Sequence, residues 1–250
     1  MAELLLYERP VRLNRFAHAT LRFTPLKDYG FCRHVSGIPL IGVEFPAACR
    51  QYPIVFVEAS DGAISAQAVL SFRPGENSFV DEQGRWTATY IPAFIRRYPF
   101  VLADIPGNTA DYDVAFDEAN GCFSPVNGEP LFSPQGDPMP LLQSQIEFLR
   151  AFQQEHRRTQ EFIRALETAD LFTAKNVDVV RADRGRFGVR NALVVDEVKL
   201  MDLPSPTAKA FLSNGYFGWI YAHLISLQCF LILANRAGQP TEEVVPWWAK

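Results

Sequence analysis

Residues 139–169 read MPLLQSQIEFLRAFQQEHRRTQEFIRALETA, and this stretch decides the fold. Leu142, Ile146, Leu149, Phe152, His156, Thr159, Ile163 and Leu166 recur at spacings of 4, 3, 3, 4, 3, 4 and 3. Those spacings follow the turn of an α-helix and put all eight side chains on one face. Gln, Glu and Arg fill the other face. The pattern predicts one long amphipathic helix with a buried apolar stripe.

The chain on the N-terminal side of this helix is different. Proline is frequent through residues 1–135, which keeps elements short. Strands are expected at 21–24, 38–43, 54–57, 64–72 and 100–103. Asp81-Glu82-Gln83-Gly84 and Val126-Asn127-Gly128-Glu129 read as turns. Short helices are expected at 92–98, with Pro92 at the first helical position, and at 44–50. On the C-terminal side, 177–180 and 187–195 flank Asp183-Arg184-Gly185-Arg186 as a β-hairpin. A helix at 208–212 should stop near Asn214-Gly215. Residues 217–235 read as a buried apolar helix that Gly238-Gln239-Pro240 ends.

The expected class is therefore α+β. An antiparallel β-rich N-terminal half with short helices precedes the long amphipathic helix, a β-hairpin and a buried C-terminal helix. The stretch 125–140 carries Pro125, Pro130, Pro134, Pro138 and Pro140 and is a possible sub-boundary. Neither half looks self-sufficient, so residues 1–250 read as one domain.

Composition narrows the function classes. Hydrophobic residues make up 48% and charged residues 21%, which excludes global disorder. Net charge is −4, and no long run of Lys and Arg occurs. The densest basic cluster, Arg181, Arg184, Arg186 and Arg190, is interrupted by Asp183. It reads as a solvated hairpin tip, too small for a nucleic-acid footprint. Cys32, Cys49, Cys122 and Cys229 form no C-x-x-C pair, and no signal peptide is recognisable at the N-terminus. Reduced thiols in a cytoplasmic protein are expected. Residues 217–234 are apolar enough to raise a membrane span, but His223 and Gln228 would be costly in lipid. A core helix is expected there, with no transmembrane segment.

The phosphate loop, the dinucleotide-binding glycine motif, the G-x-S-x-G elbow and H-E-x-x-H are all missing from the sequence. The remaining candidates are single residues with a plain reading beside a functional one. His156 and His223 lie in apolar helical surroundings, where each must satisfy one donor and one acceptor. They are either locally bonded core histidines or, if their helices pack together, two ligands of a metal site completed by Glu44 or Glu155. Glu44 follows an apolar strand and either caps a helical turn or offers a carboxylate. Arg96 and Arg97, with Tyr90, Phe94, Tyr98 and Phe100, form a cationic aromatic cluster. It either packs a helix or binds a flat or anionic ligand. No catalytic residue, cofactor or metal is assigned, and the oligomeric state is not legible.

Several blocks along the chain stand out together. They are Val11-Arg12-Leu13-Asn14-Arg15, the run from Ile38 through Gly42, Val43 and Glu44 to Pro46, and Tyr52-Pro53-Ile54-Val55-Phe56. Trp86 with the run from Tyr90 through Arg96, Arg97 and Pro99 to Phe100 is another. Gly128-Glu129-Pro130-Leu131-Phe132, Glu155-His156-Arg157-Arg158-Thr159, the run from Val194 to Leu200, and that from Ile220 through His223 to Leu227 complete the set, which resembles the bacterial SapC family collinearly from about residue 5 to 235. The family name comes from surface-layer gene clusters, and the resemblance carries over no catalytic residue. It implies a link to surface-layer biology, and the first reading is a non-catalytic accessory or interaction protein acting from the cytoplasm in a cell-envelope or surface-layer pathway, with Trp247 and Trp248 as candidate partner anchors. The alternatives are a small-molecule or peptide binder and a metal-dependent enzyme around His156 and His223.

Overall fold

The computed structural model describes residues 5–105, 108–181, 186–236 and 241–245. The expected hairpin tip at Asp183, Arg184 and Gly185, the stop at Gly238-Gln239-Pro240, and Trp247 with Trp248 lie outside them.

The N-terminal half holds β1 (Pro10–Arg12), β2 (Arg22–Phe23), β3 (Gly37–Pro39), the short helix α1 (Phe45–Ala48), β4 (Ile54–Glu58) and β5 (Ile64–Val69). Next come α2 (Ala93–Arg96), β6 (Phe100–Ile105), β7 (Asn108–Asp117), β8 (Phe123–Ser124) and β9 (Glu129–Pro130). The long helix α3 runs Pro140–Thr168, close to the bounds its periodicity predicts. It is followed by β10 (Phe172–Arg181), β11 (Arg186–Val195), α4 (Glu197–Met201), α5 (Ser205–Ser213), α6 (Tyr216–Ser226), α7 (Cys229–Arg236) and β12 (Thr241–Val245). The class is α+β, with antiparallel strand pairs throughout the described sheets.

The largest sheet has the order β12-β10-β11-β4-β5-β3. Two three-stranded sheets have the orders β1-β7-β6 and β8-β2-β9. The turn at Gly128, where φ is +101°, returns the chain so that β8 and β9 flank β2 instead of pairing with each other. Within the large sheet, β11 and β4 meet in register only at Leu193 and Phe56.

Helix α3 ends for a local reason. Asp170 takes a left-handed φ of 51°, Leu171 N–H donates to Leu166 O and Asp170 N–H donates to Glu167 O. This is a Schellman closure with Asp in the place glycine usually holds, and buried Leu166 and Leu171 supply the apolar contact that accompanies it. Lys199 Nζ fixes the turn by donating to Asp170 O at 2.9 Å and Oδ2 at 2.7 Å.

The buried face of α3, the predicted stripe with Phe162 beside it, serves two cores. Leu142 and Leu149 pack with Phe23, Phe100, Phe116 and Leu131. Phe152, Phe162, Ile163 and Leu166 belong to the larger core under the six-stranded sheet. Full burial of Phe162 among Phe45, Phe56, Tyr216 and Trp219 stabilises by roughly 3 kcal/mol.

The C-terminal helical segment is there, but as two helices in place of one. A 41° bend separates α6 from α7, and Ser226, at the end of α6, turns its hydroxyl back onto His223 O at 2.5 Å. Such back-bonding bends helices. Its buried face carries Trp219, Ile220, His223, Phe230 and Leu233. No single helix among the described residues is long and apolar enough to cross a membrane.

Candidate functional site

Five of the six candidate residues gather where α2, the turn before α1, and α3 meet. Gly42 starts this arrangement. Its N–H donates to Thr159 Oγ1 on α3 at 2.8 Å, and a Cβ there would lie 2.4 Å from the Trp219 ring. Only glycine allows that approach. The contact delivers Glu44 into the interior, where it is buried. Glu44 Oε1 accepts from Tyr90 Oη–H at 2.6 Å and from Ala93 N–H at 2.6 Å. Glu44 Oε2 accepts from Ile41 N–H at 3.3 Å. Ala93 is the first residue of α2, so the carboxylate caps that helix from a distant loop. Burial pushes the Glu44 pKa up, and the bonds from Tyr90, Ala93 and Ile41, with the Arg96 charge, oppose it.

Tyr90 is held from behind. Its carbonyl accepts from Trp86 Nε1 at 3.1 Å and from Tyr52 Oη. Burial, and then Glu44, raise its phenol pKa, so the hydroxyl stays a donor. Arg96 lies over the Tyr90 ring at 6.0 Å and the Phe148 ring at 5.2 Å, and its Nε donates to Ile91 O at 2.9 Å. A hollow of about 170 Å³ adjoins Arg96, lined also by Tyr29, Phe31 and Tyr98.

Arg97 faces the other way. Buried, it stacks on Phe94 at 4.3 Å and on Phe152 of α3 at 4.8 Å. Phe152 in turn lies parallel to His156, with 6.4 Å between ring centres. Glu44, Tyr90, Arg96, Arg97 and His156 thus form one chain of contacts along α2 and α3.

His223 is not part of it. Its Nδ1 lies 2.8 Å from Ile54 O, and its Nε2 accepts from Val195 N–H at 3.1 Å. Since a carbonyl only accepts, Nδ1 carries the proton and the ring is neutral. The register that pairs Leu193 with Phe56 would pair Val195 with Ile54. The imidazole stands between those two residues and replaces their direct ladder bond. Ser226 Oγ takes the Ile54 N–H at 2.9 Å, so α6 satisfies both backbone groups of Ile54. Burial pulls the His223 pKa down to about 4. With both nitrogens held by backbone, His223 has none to share with His156 or a metal. Among the described residues, no three His, Cys, Asp or Glu side chains are grouped to hold a metal ion.

Sequence reasoning missed Asp117. It is fully buried and accepts from Glu8 N–H at 3.1 Å, Arg9 N–H at 2.9 Å, Ala119 N–H at 3.2 Å and Tyr98 Oη–H at 2.8 Å. Burial pushes its pKa up, but these bonds outweigh burial and hold the carboxyl below its usual value. The signal was faint, since Asp117 only follows the apolar run Val114-Ala115-Phe116 in a strand that carries two other Asp residues.

Fold and cluster together define an α+β protein in which a long helix joins two cores and a buried carboxylate caps a helix that carries two arginines. The SapC family model matches residues 13–233, and the chain belongs to that family. Comparisons with curated proteins and with solved structures find no match.

Proposed function

We propose that this chain is a non-catalytic interaction protein that serves a bacterial cell-envelope or surface-layer pathway from the cytoplasm, as one domain. The observation that carries the reading is the outer face of α6 and α7. Tyr221, Ile225, Leu231 and Ile232 are exposed, and Ile225 is 56% exposed. Tyr221 and Ile225 lie one turn apart on α6, and Leu231 and Ile232 are adjacent on α7, all on the solvent side of their helices where polar residues belong. Val198, Met201 and Leu212 are exposed on the neighbouring helices α4 and α5. Apolar faces of this kind mark protein interaction sites. The four cysteines are buried free thiols, which suits a reducing compartment.

The second reading, a small-molecule binder, draws support from the hollow beside Arg96. Against it, Glu44 and Tyr90 already spend their polar atoms on each other and on Ala93. A photo-crosslinking amino acid at Ile225 tests the first reading in cells. A discrete crosslinked protein that disappears in Tyr221→Asp is expected. Crosslinks to lipid alone, with the purified protein floating on anionic vesicles, would refute it.

A further inference from the structure

A second surface is built for a particular chemistry. A hollow of about 700 Å³ opens between the turn at 14–22 and the Pro-rich loop at 125–139. None of its lining residues belongs to the Glu44 cluster or to the α6–α7 face. Phe132 is buried at its wall, and Phe16, 78% exposed, stands at its opening. Arg15 and Arg22 are its only charged lining residues. Neither is ion-paired with a carboxylate among the described residues. Two guanidinium groups without an ion pair among the described residues thus line one largely apolar groove in a chain whose net charge is −4. Such a local reversal of sign favours an anionic ligand.

The groove is already shaped. The Arg15 stem lies across Gly136, where a Cβ would sit 3.4 Å from Arg15 Cδ, and the Arg15 head is 4.9 Å from the Phe16 ring centre. Arg22 Nε donates to Gly128 O at 2.8 Å. Side chains lock each surrounding turn. Asn14 Oδ1 accepts from Phe16 and Ala17 N–H at 2.9 and 3.1 Å. Ser124 Oγ accepts from Val126 and Asn127 N–H, both at 3.1 Å. Ser133 Oγ accepts from Gln135 and Asp137 N–H, both at 3.2 Å. Pro125, Pro130 and Pro134 fix further backbone angles. Binding to a pre-shaped groove loses little to ordering.

We propose that this groove binds an acidic peptide segment of a partner protein, its carboxylates meeting Arg15 and Arg22 and an apolar side chain packing beside Phe16 and Phe132. Guanidinium forks match carboxylates in two-bond geometry. Nucleic acid would need a broader basic face than two arginines in an acidic chain. The proposal rests on the reading of this protein as an interaction protein and supplies the partner's chemistry.

The test uses the full chain on an array of short synthetic peptides built from Glu, Gln, Lys and Leu, with melting of every variant measured in parallel. The wild type should select peptides that combine Glu with Leu. Arg15 is exposed, so Arg15→Glu should fold normally. It should weaken binding of those peptides by about tenfold or more, the loss expected for a charge-assisted contact, and move selection toward Lys. Phe16→Ala should weaken binding of Leu-bearing peptides. No selection for Glu by the wild type, or selection unchanged in Arg15→Glu, would overturn the proposal. The Ile225 crosslink reports on a different face, so its survival in Arg15→Glu separates failure of the groove from failure of the interaction reading.

Discussion

The imidazole between β4 and β11 makes a quantitative prediction about acid stability. Protonating His223 puts a second N–H on Nε2, facing the Val195 N–H that now donates to it, in a fully buried site. The folded protein therefore resists the proton until pH falls to about 4, whereas in the unfolded chain the ring titrates near 6.5. The sign follows directly. Above about pH 6.5 both states hold a neutral ring and the full stability is present. As pH falls from there toward 4, the unfolded state binds the proton first and stability is lost at about 1.4 kcal/mol per pH unit. Between about pH 7.5 and 4.5 this one residue removes about 2–3 kcal/mol. Urea denaturation across that range, in the wild type and in His223→Gln, isolates the effect, because Gln keeps one donor and one acceptor but does not titrate. The variant should be less stable at neutral pH, and the gap should close by about 2–3 kcal/mol at the acid end. His223→Ala should cost more, about 4 kcal/mol, since it orphans the Ile54 carbonyl and the Val195 N–H. Parallel pH profiles for the wild type and His223→Gln would refute the reasoning.

Gly42→Ala should destabilise by about 1–3 kcal/mol, because its Cβ would overlap the Trp219 ring, and Trp fluorescence should shift as the indole is displaced. Asp117→Asn should cost about 2 kcal/mol in a thermal melt, by weakening four charge-assisted acceptor bonds. The wild type should lose that contribution as pH falls through the lowered Asp117 pKa, so the gap to the variant should shrink in acid, and a gap that stays constant with pH would contradict this. Phe162→Ala should cost about 3–5 kcal/mol by opening a cavity at the centre of the larger core, and an unchanged urea midpoint would mean Phe162 does not carry the packing between α3 and that core.

Much of this was legible before any coordinates. The eight-residue stripe gave α3 almost to its ends, the sequence around Asp183–Arg186 marked the β10–β11 hairpin, and Asn214-Gly215 marked the stop of α5, where Gly215 has φ +74°. These features depend on local periodicity and backbone preference, which a chain carries whatever surrounds it. Strands β7 and β12 were not legible. Their sequences, NTADYDVAFD and TEEVV, are rich in Asp and Glu, which disfavour strands, and they become strands by pairing with β6 and β1 and with β10.

The candidate residues divide along the same line. The sequence by itself placed His156 and His223 in apolar helical surroundings and could not tell them apart, because helical periodicity says which face a side chain is on and not what waits opposite. Tertiary structure set His156 beside Phe152 and drove His223 between two strands 137 residues apart at Leu193 and Phe56, where its two nitrogens complete a ladder the backbone leaves open. It also turned Glu44 from a free carboxylate into a cap for α2, and it left the α6–α7 face and the Arg15–Arg22 groove uncovered. Those outcomes depend on which distant backbone groups arrive at a side chain, and a hydrogen bond is decided by that meeting, at a scale of tenths of an ångström that no local pattern encodes.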